Sequence, residues 1–316
     1  MSSEHRFDPG CSELASDSEK LAHLVAEIEK RLGHGAKIVG VLEIGSFTKD
    51  EAVPTSDSDL RIYVESPDVY FWQGWGADRK ATGKPEKEQY FLSFLETSPD
   101  LPRVTYEWEE FNEPISHELS ESLGINFEFG IADARFVRHQ FDNLRLKPCG
   151  EYELLFQGKV LYDPLKILAD WYSRYYGARC QTLCDHYQVR YLDHPPFEVA
   201  LHTKPDRFDR HKIEKSGQIL WVKWAVRALR DAVASKTYQA TGKFTYRKQE
   251  VLDFYRKHLP QHMDFIELLY IWKTDETVRA KMVQEFLDDP NPFFDEFASM
   301  MPKLESIVAD VNRLEL

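Results

Sequence analysis

The sequence predicts an α/β chain of the α+β kind: a mixed sheet flanked by helices, followed by an α-helical bundle. Three observations carry this. The runs Ile38–Ile44 and Leu60–Val64 are short, apolar and separated by a polar loop, as neighbouring strands are. A third strand-like run, Ile125–Ile131, follows a helical segment that stops at Gly124. From Leu165 onward, apolar residues recur almost wholly at helical spacing. The expected domains are 1–164 and 165–316, with Tyr162-Asp163-Pro164 as the boundary, because proline suits the first turn of a new helix.

The elements follow in order. Leu21, Leu24, Val25, Ile28 and Leu32 give one helical face over Ser16–Leu32, with Ser16 and Glu19 as a capping box and Gly33 as the stop. The strand Ile38–Ile44 leads through Gly45-Ser46 into a short helix. The acidic strand that opens at Asp57 comes next. Pro67–Asp100 reads as a loop-rich insertion with one helix near Glu88–Glu96, its tryptophans Trp72 and Trp75 serving packing. Val104–Phe111 alternates like a strand, with Glu107 and Glu109 on one face, and Ile115–Leu123 reads as a helix. In Ile125–Ile131, Phe127, Phe129 and Ile131 face one way and Asn126, Glu128 and Gly130 the other. The second half offers apolar stripes at Ile219–Leu229, Val251–Leu259, Ile266–Trp272 and Met301–Leu314.

Composition narrows the functional classes. A chain of 316 residues with 42% apolar and 29% charged residues can bury one large core or two modest ones. No apolar run approaches the length of a membrane span, and the polar, acidic N-terminus is unlike a secretory or transit signal, so the expected compartment is the cytoplasm. Cys11, Cys149, Cys180 and Cys184 complete no zinc pattern and read as free thiols. His186, His194, His202 and His211 have no metal-binding spacing. The net charge of −13 argues against a nucleic-acid partner and fits a cationic small substrate.

Residues 45–60, GSFTKDEAVPTSDSDL, carry the chemistry. Residues two apart on a strand share a face, so the carboxylates of Asp57 and Asp59 converge. Hard oxygen ligands on one face suit Mg²⁺. Gly45-Ser46, placed before a helix, offers backbone N–H groups and a hydroxyl to phosphate oxygens. A metal beside a phosphate cradle implies transfer of a phosphorus-centred group from a nucleoside triphosphate.

This segment resembles the polymerase β-like nucleotidyltransferase superfamily, whose small bacterial members carry a stretch close to GSYARGEATPDSDIDL. The sixteen positions align without a gap. Gly45, Ser46, Glu51, Ala52, Pro54, Ser56, Asp57, Asp59 and Leu60 match, and Phe47 and Lys49 keep an aromatic and a basic residue. Asp50 stands where the family has a loop glycine able to take positive φ. Ser58 stands where it has an apolar residue, which implies looser packing behind the strand. The resemblance implies a nucleotidyltransferase sheet, and it implies a third carboxylate on a later strand. Glu128 is the first candidate for that role, since it lies opposite the apolar face and would point to a helix-free side of the sheet. Glu107 is second and Asp133 third. The segment ending Val160-Leu161-Tyr162-Asp163-Pro164 is similar to the close of the catalytic domain in antibiotic nucleotidyltransferases.

A second stretch, Gln239–Val251 ending at Leu259-Pro260, resembles the C-terminal domain of streptomycin/spectinomycin-type aminoglycoside adenylyltransferases, where a lysine reaches the nucleotide. Lys243, Arg247 and Lys248 are all candidates, Lys243 and Lys248 foremost. The span Arg207–Lys257 holds 13 Lys and Arg against 5 Asp and Glu, which a wall facing a triphosphate would explain.

Together these features imply a Mg²⁺-dependent enzyme with ATP as co-substrate. Asp57, Asp59 and Glu128 would hold two ions; Gly45, Ser46, Lys49, Lys243 and Lys248 would hold the nucleotide. The acceptor would be a small hydroxyl-bearing molecule such as an aminoglycoside-like antibiotic, which implies a role in antibiotic resistance. Modification of a protein or RNA, as in toxin–antitoxin pairs, and an inactive nucleotide-binding homologue are the alternatives.

Overall fold

A computed structural model of the protein describes residues 12–52, 56–74, 85–143, 150–176, 210, 213–214 and 217–316. Cys11, Trp75, Cys149, Cys180, Cys184, His186, His194, His202 and His211 lie outside the described residues. The chain forms two compact units. One comprises Met1–Thr48 and Thr55–Arg179, the other Lys49–Pro54 and Cys180–Leu316. The fold is α+β, with a mixed four-stranded sheet, a small second sheet, flanking helices and a C-terminal helical region.

In the first unit, α1 (Ser18–Leu32) buries the five residues that the helical spacing singles out. Its cap differs from the expectation. Asp17, not Ser16, accepts from the backbone N–H groups of Glu19 and Lys20, so the helix starts later and the Ser16–Glu19 capping box does not form. β1 (Lys37–Ile44) and β2 (Ser58–Glu65) pair antiparallel, with Ile44 opposite Asp59. β3 (Tyr70–Gly74) and β4 (Arg103–Glu107) pair in parallel and form the small sheet, with α2 (Pro85–Glu96) between them in sequence. Pro67–Asp100 is therefore more than a loop with one helix. The run Tyr70-Phe71-Trp72 supplies a strand whose aromatic content is a β signal. Trp72, partly buried, packs on Phe91, ring centroids 4.6 Å apart, and meets Phe136, so it serves packing.

β4 stops at Glu107, earlier than the alternation over Val104–Phe111 predicts. Trp108–Asn112 form a π-helical turn into α3 (Glu113–Leu123). β5 (Phe127–Asp133) then pairs parallel with β2, placing Asp59 opposite Glu128. α4 (Ala134–Asp142), α5 (Gly150–Gln157), β6 (Lys159–Tyr162) and a helix α6 at 167–176 complete the unit. The main sheet has the order β5-β2-β1-β6.

One sheet face carries Leu60, Ile62, Val64, Phe127, Phe129 and Ile131 against α1 and α3, and this is the unit's core. The other face carries Asp59, Arg61, Tyr63 and Glu128. It is not helix-free. Trp171 of α6 meets Tyr63 edge-on at 5.4 Å, and Leu168 lies where a Cβ on Gly40 would come within 2.8 Å. Gly40 thus admits α6 onto β1. These contacts also put 165–176 with the first unit, beyond the expected boundary at Pro164, because the helix buries Leu168, Trp171 and Tyr175 there.

Side chains close the outer edge of β5. Gln73 accepts from Ile131 N–H, and Asn112 donates to Phe129 C=O at 3.0 Å. A backbone edge satisfied this way is fixed in place just after Glu128.

In the second unit, α7 (Leu220–Thr241) is the central helix, packed by α8 (Lys248–His258), α9 (Met263–Thr274), α10 (Glu276–Asp288) and α11 (Asn291–Arg313) around one apolar core. Trp221 stacks on Phe297 at 4.4 Å. The expected stripes are the buried faces of these helices. α11 begins well before Met301, because the stripe sought there passes over Phe294 and Phe297. Among the described residues no helix is long and apolar enough to cross a membrane.

Candidate active site

Three carboxylates stand together in the first unit. Ligand oxygens of Asp57, Asp59 and Glu128 all lie within 4.8 Å of one another, and each residue is half-buried. Strand pairing explains the grouping. Asp59 and Glu128 are direct partners across the parallel β2–β5 ladder, and Asp57 precedes Asp59 by one strand period. Among the described residues this is the only such group of acids and histidines able to hold a metal.

Gly45 adjoins the cluster. Its φ is +84°, in the left-handed region, and a Cβ built there would lie 2.1 Å from Asp59 Oδ2. Only glycine meets both demands, since any side chain would drive the short Asp59 carboxylate aside. Ser46 follows, half-buried, and Thr48 caps the turn by donating to Gly45 C=O at 3.1 Å. The expected helix after Ser46 is a single 3₁₀ turn, Phe47–Lys49. Too few peptide dipoles align there to attract phosphate, so the helix-terminus part of the cradle argument falls. What stands is the bare Gly45 backbone beside the acids and the Ser46 hydroxyl. Asp50 has φ +55°, in keeping with its place at a loop-glycine position.

The donor set fits Mg²⁺. Oxygens sharing one such ion at 2.0–2.1 Å stand about 3–4 Å apart, and two ions in a shared site stand about 3.5–4 Å apart. A spread of 4.8 Å among three carboxylates is within a small rotation of either arrangement. Like charges this close also repel, so a cation among them stabilises the group.

The other carboxylate candidates are placed elsewhere. Glu107 ends β4 in the small sheet, where a Cβ on Gly74 would meet its carboxylate at 2.5 Å. Asp133 is buried and structural. It caps α4 through Arg135 N–H, pairs with the Arg135 guanidinium at 2.7 Å and accepts from Phe71 N–H at 3.1 Å. Ser58 is fully covered behind β2. It is buried near Glu43, a carboxyl in the core whose pKa is raised by burial, against the opposing effects of Ser12, Lys159 and Ser58.

No protein-family model matches the chain, and no curated protein is significantly similar to it.

The second unit holds the other basic candidates. Lys243 is exposed just after α7, in a turn braced by the stacked rings of Tyr238, Phe244 and Tyr246. Lys248 is half-buried, donates to Thr274 Oγ1 at 2.7 Å and has a pKa lowered by burial against the pull of Glu51 and Asp275. Lys49 lies close enough to Glu51 to lower its pKa.

A charge cluster that sequence reading missed also lies in this unit. The Glu51 carboxylate accepts from Arg230 Nη1 at 3.1 and 3.2 Å and from Lys273 Nζ. Glu51 and Arg230 are buried and Lys273 is largely so. Burial would raise the Glu51 pKa, yet Lys273 and Arg230 bring it down to about 2. Burial lowers that of Lys273 to about 8, with Arg230 adding repulsion and Glu51 opposing. Arg230 also pairs with buried Asp231 at 3.5 Å, and Asp231 with Arg227. Glu51 was visible in the sequence only as a match to a family position. Spacing gave a hint for Arg227 and Asp231, which are four apart on one helix. Nothing local marks Lys273.

Proposed function

We propose that the protein is a Mg²⁺-dependent nucleotidyltransferase that moves a nucleoside monophosphate, AMP from ATP, to a hydroxyl of a small acceptor, an aminoglycoside-like antibiotic being the leading class. The observation that carries this reading is the meeting of Asp57, Asp59 and Glu128 beside a side-chain-free Gly45. Mg²⁺ held by these carboxylates would neutralise triphosphate oxygens and ease ionisation of the acceptor hydroxyl. In the reaction, an acceptor oxygen bonds to the α-phosphorus and the bond to the bridging oxygen breaks. Pyrophosphate leaves with that electron pair. Asp57 and Asp59 would hold the ion whose positive charge draws the reacting phosphate into place. Glu128 takes the acceptor proton or completes the ligand set. Gly45 lets the phosphate approach the backbone. Lys49, Lys243 and Lys248 are the proposed cations for the nucleotide.

The deciding experiment is mass spectrometry of mixtures containing ATP, Mg²⁺ and a panel of aminoglycosides, lincosamides and other polyhydroxyl acceptors. An acceptor gaining one AMP supports the reading. AMP appearing on a protein or RNA instead, or no transfer to any acceptor, rejects it.

Two variants probe the site. Gly45→Val forces a β-branched side chain onto a positive-φ residue and into Asp59, so calorimetric ATP titration with Mg²⁺ should show affinity weakened by at least tenfold, about 1.4 kcal/mol. Unchanged affinity would place the triphosphate elsewhere. Glu128→Gln should hold nucleotide affinity within about tenfold and cut turnover about a hundredfold or more. Glu107→Gln, on the small sheet, should be mild. A silent Glu128→Gln beside an inactive Glu107→Gln would overturn the assignment.

A further inference from the structure

Asp57, Asp59 and Arg61 stand two apart in the chain, so on extended backbone their side chains share one side. A guanidinium therefore follows directly on the two carboxylates. It lies in the same compact unit as all three acids.

The pairing of β2 with β5 sets where that cation goes. Arg61 is opposite Gly130, as Asp59 is opposite Glu128. A Cβ built on Gly130 would lie 3.0 Å from Arg61 Nη1 and 4.0 Å from its Cδ, so the arginine side chain crosses β5 over the bare glycine. Its Nη1 donates to Ile131 C=O at 3.1 Å, on the outer edge of the strand where Gln73 takes the N–H of the same residue. Glu128 stands one same-face step before Gly130, about 7 Å along the strand. The half-buried guanidinium is thus built into the sheet within a Debye length, about 8–10 Å, of the Glu128 position.

The hydrogen bond to Ile131 does not by itself call for an arginine. A neutral amide would serve, as Asn112 serves Phe129 C=O nearby. What only a cation supplies is charge. Three carboxylates within 4.8 Å of one another repel when no metal is bound. A fixed cation beside them offsets part of that repulsion. Tied to the far edge of β5, it does so without taking the place of the metal. The same charge repels an incoming metal ion.

From these observations we infer that Arg61 is a positioning residue, the built-in counter-cation of the carboxylate group: held across Gly130, it keeps Asp57, Asp59 and Glu128 together before metal binds and restrains the affinity for the metal. The inference rests on the metal-site reading above.

Two measurements on the full chain test it. The first is thermal unfolding in EDTA. Arg61→Gln keeps a donor for Ile131 C=O and removes the charge, so Tm should fall. In a Glu128→Gln background the same change should cost less than about half as much, because one repelling charge has gone. In a Glu107→Gln background the cost should be undiminished. No fall in Tm, an undiminished cost beside Glu128→Gln, or equal relief from Glu107→Gln would overturn the proposal. The second measurement is Mn²⁺ binding, read by electron paramagnetic resonance of the free ion with no substrate present. Failure of wild type to bind would reject the metal-site reading, while the unfolding cycle still decides whether Arg61 serves the acids. Arg61→Gln should bind Mn²⁺ about threefold more tightly or better. Arg61→Lys, which keeps the charge, should stay within about twofold of wild type. Unchanged or weaker binding in folded Arg61→Gln, or equal tightening in Arg61→Lys, would reject the counter-cation role. Arg61→Met carries both measurements if Arg61→Gln does not fold.

Discussion

Replacing either Asp57 or Asp59 by Asn is expected to abolish nucleotidyl transfer, by about a thousandfold or more, and to leave the fold intact. The two effects have one cause. Three carboxylates within 4.8 Å of one another form a group able to hold a cation, the role proposed for them here. Removing one charge weakens the hold on the ion and on the phosphate oxygens it would neutralise. A thousandfold loss is about 4 kcal/mol of transition-state stabilisation, the scale expected for losing a metal ligand. Asn keeps the volume of Asp, so packing is preserved, and one fewer negative charge relieves repulsion in the metal-free protein. Melting curves should therefore show an unchanged or higher Tm without Mg²⁺ and a smaller rise on adding it. Product formation is read by mass spectrometry with any acceptor that wild type modifies. Full activity in either variant would sink the mechanism.

Glu51→Ala is expected to destabilise the helical unit by about 3–5 kcal/mol, the usual result of breaking a buried pair from one side. Arg230 would remain buried and Lys273 largely so, and both would lose their shared carboxylate. The same group gives an acid-sensitivity signature. Its folded pKa, about 2, lies below the ordinary value of 4.5. The unfolded chain therefore binds the proton first as pH falls. The stabilisation is fully present above about 4.5 and is lost progressively toward about 2. Urea unfolding from pH 6 down to pH 2.5 should show wild type losing stability more steeply below 4.5 than Glu51→Gln, which has no proton to take up. Parallel slopes would mean that Glu51 is not held ionised by its partners.

How much of this was legible in the sequence differs from element to element. The apolar runs that became β1, β2 and β5 and the faces that became α1, α7, α8 and α9 were readable because burial imposes a period of 2 or 3.6 on the chain. β3 escaped because Tyr70–Gly74 is buried at four of its five positions and so does not alternate. The helix after Ser46 was overread. Capping residues signal where a helix can begin, but the 3₁₀ turn at Phe47–Lys49 ends at once, with Asp50 at positive φ.

For the site, sequence alone determined that Asp57 and Asp59 share a face, since that follows from chain geometry over two residues, while Gly45 was expected beside them only through the motif and reaches Asp59 by the pairing of β1 with β2. It also placed Glu128 opposite the apolar side of its strand. Which strand lies beside β2 is not a local property. It depends on how the sheet packs as a whole, and the parallel register setting Asp59 against Glu128 separated Glu128 from Glu107 and Asp133. Asp133 looked equally acidic in one dimension, yet the fold gives it to Arg135 and to the start of α4. Tertiary structure alone joined Glu51 to Arg230 and Lys273, which lie 179 and 222 residues away in the chain. A charge advertises itself in sequence by its neighbours, and these partners become neighbours only after folding.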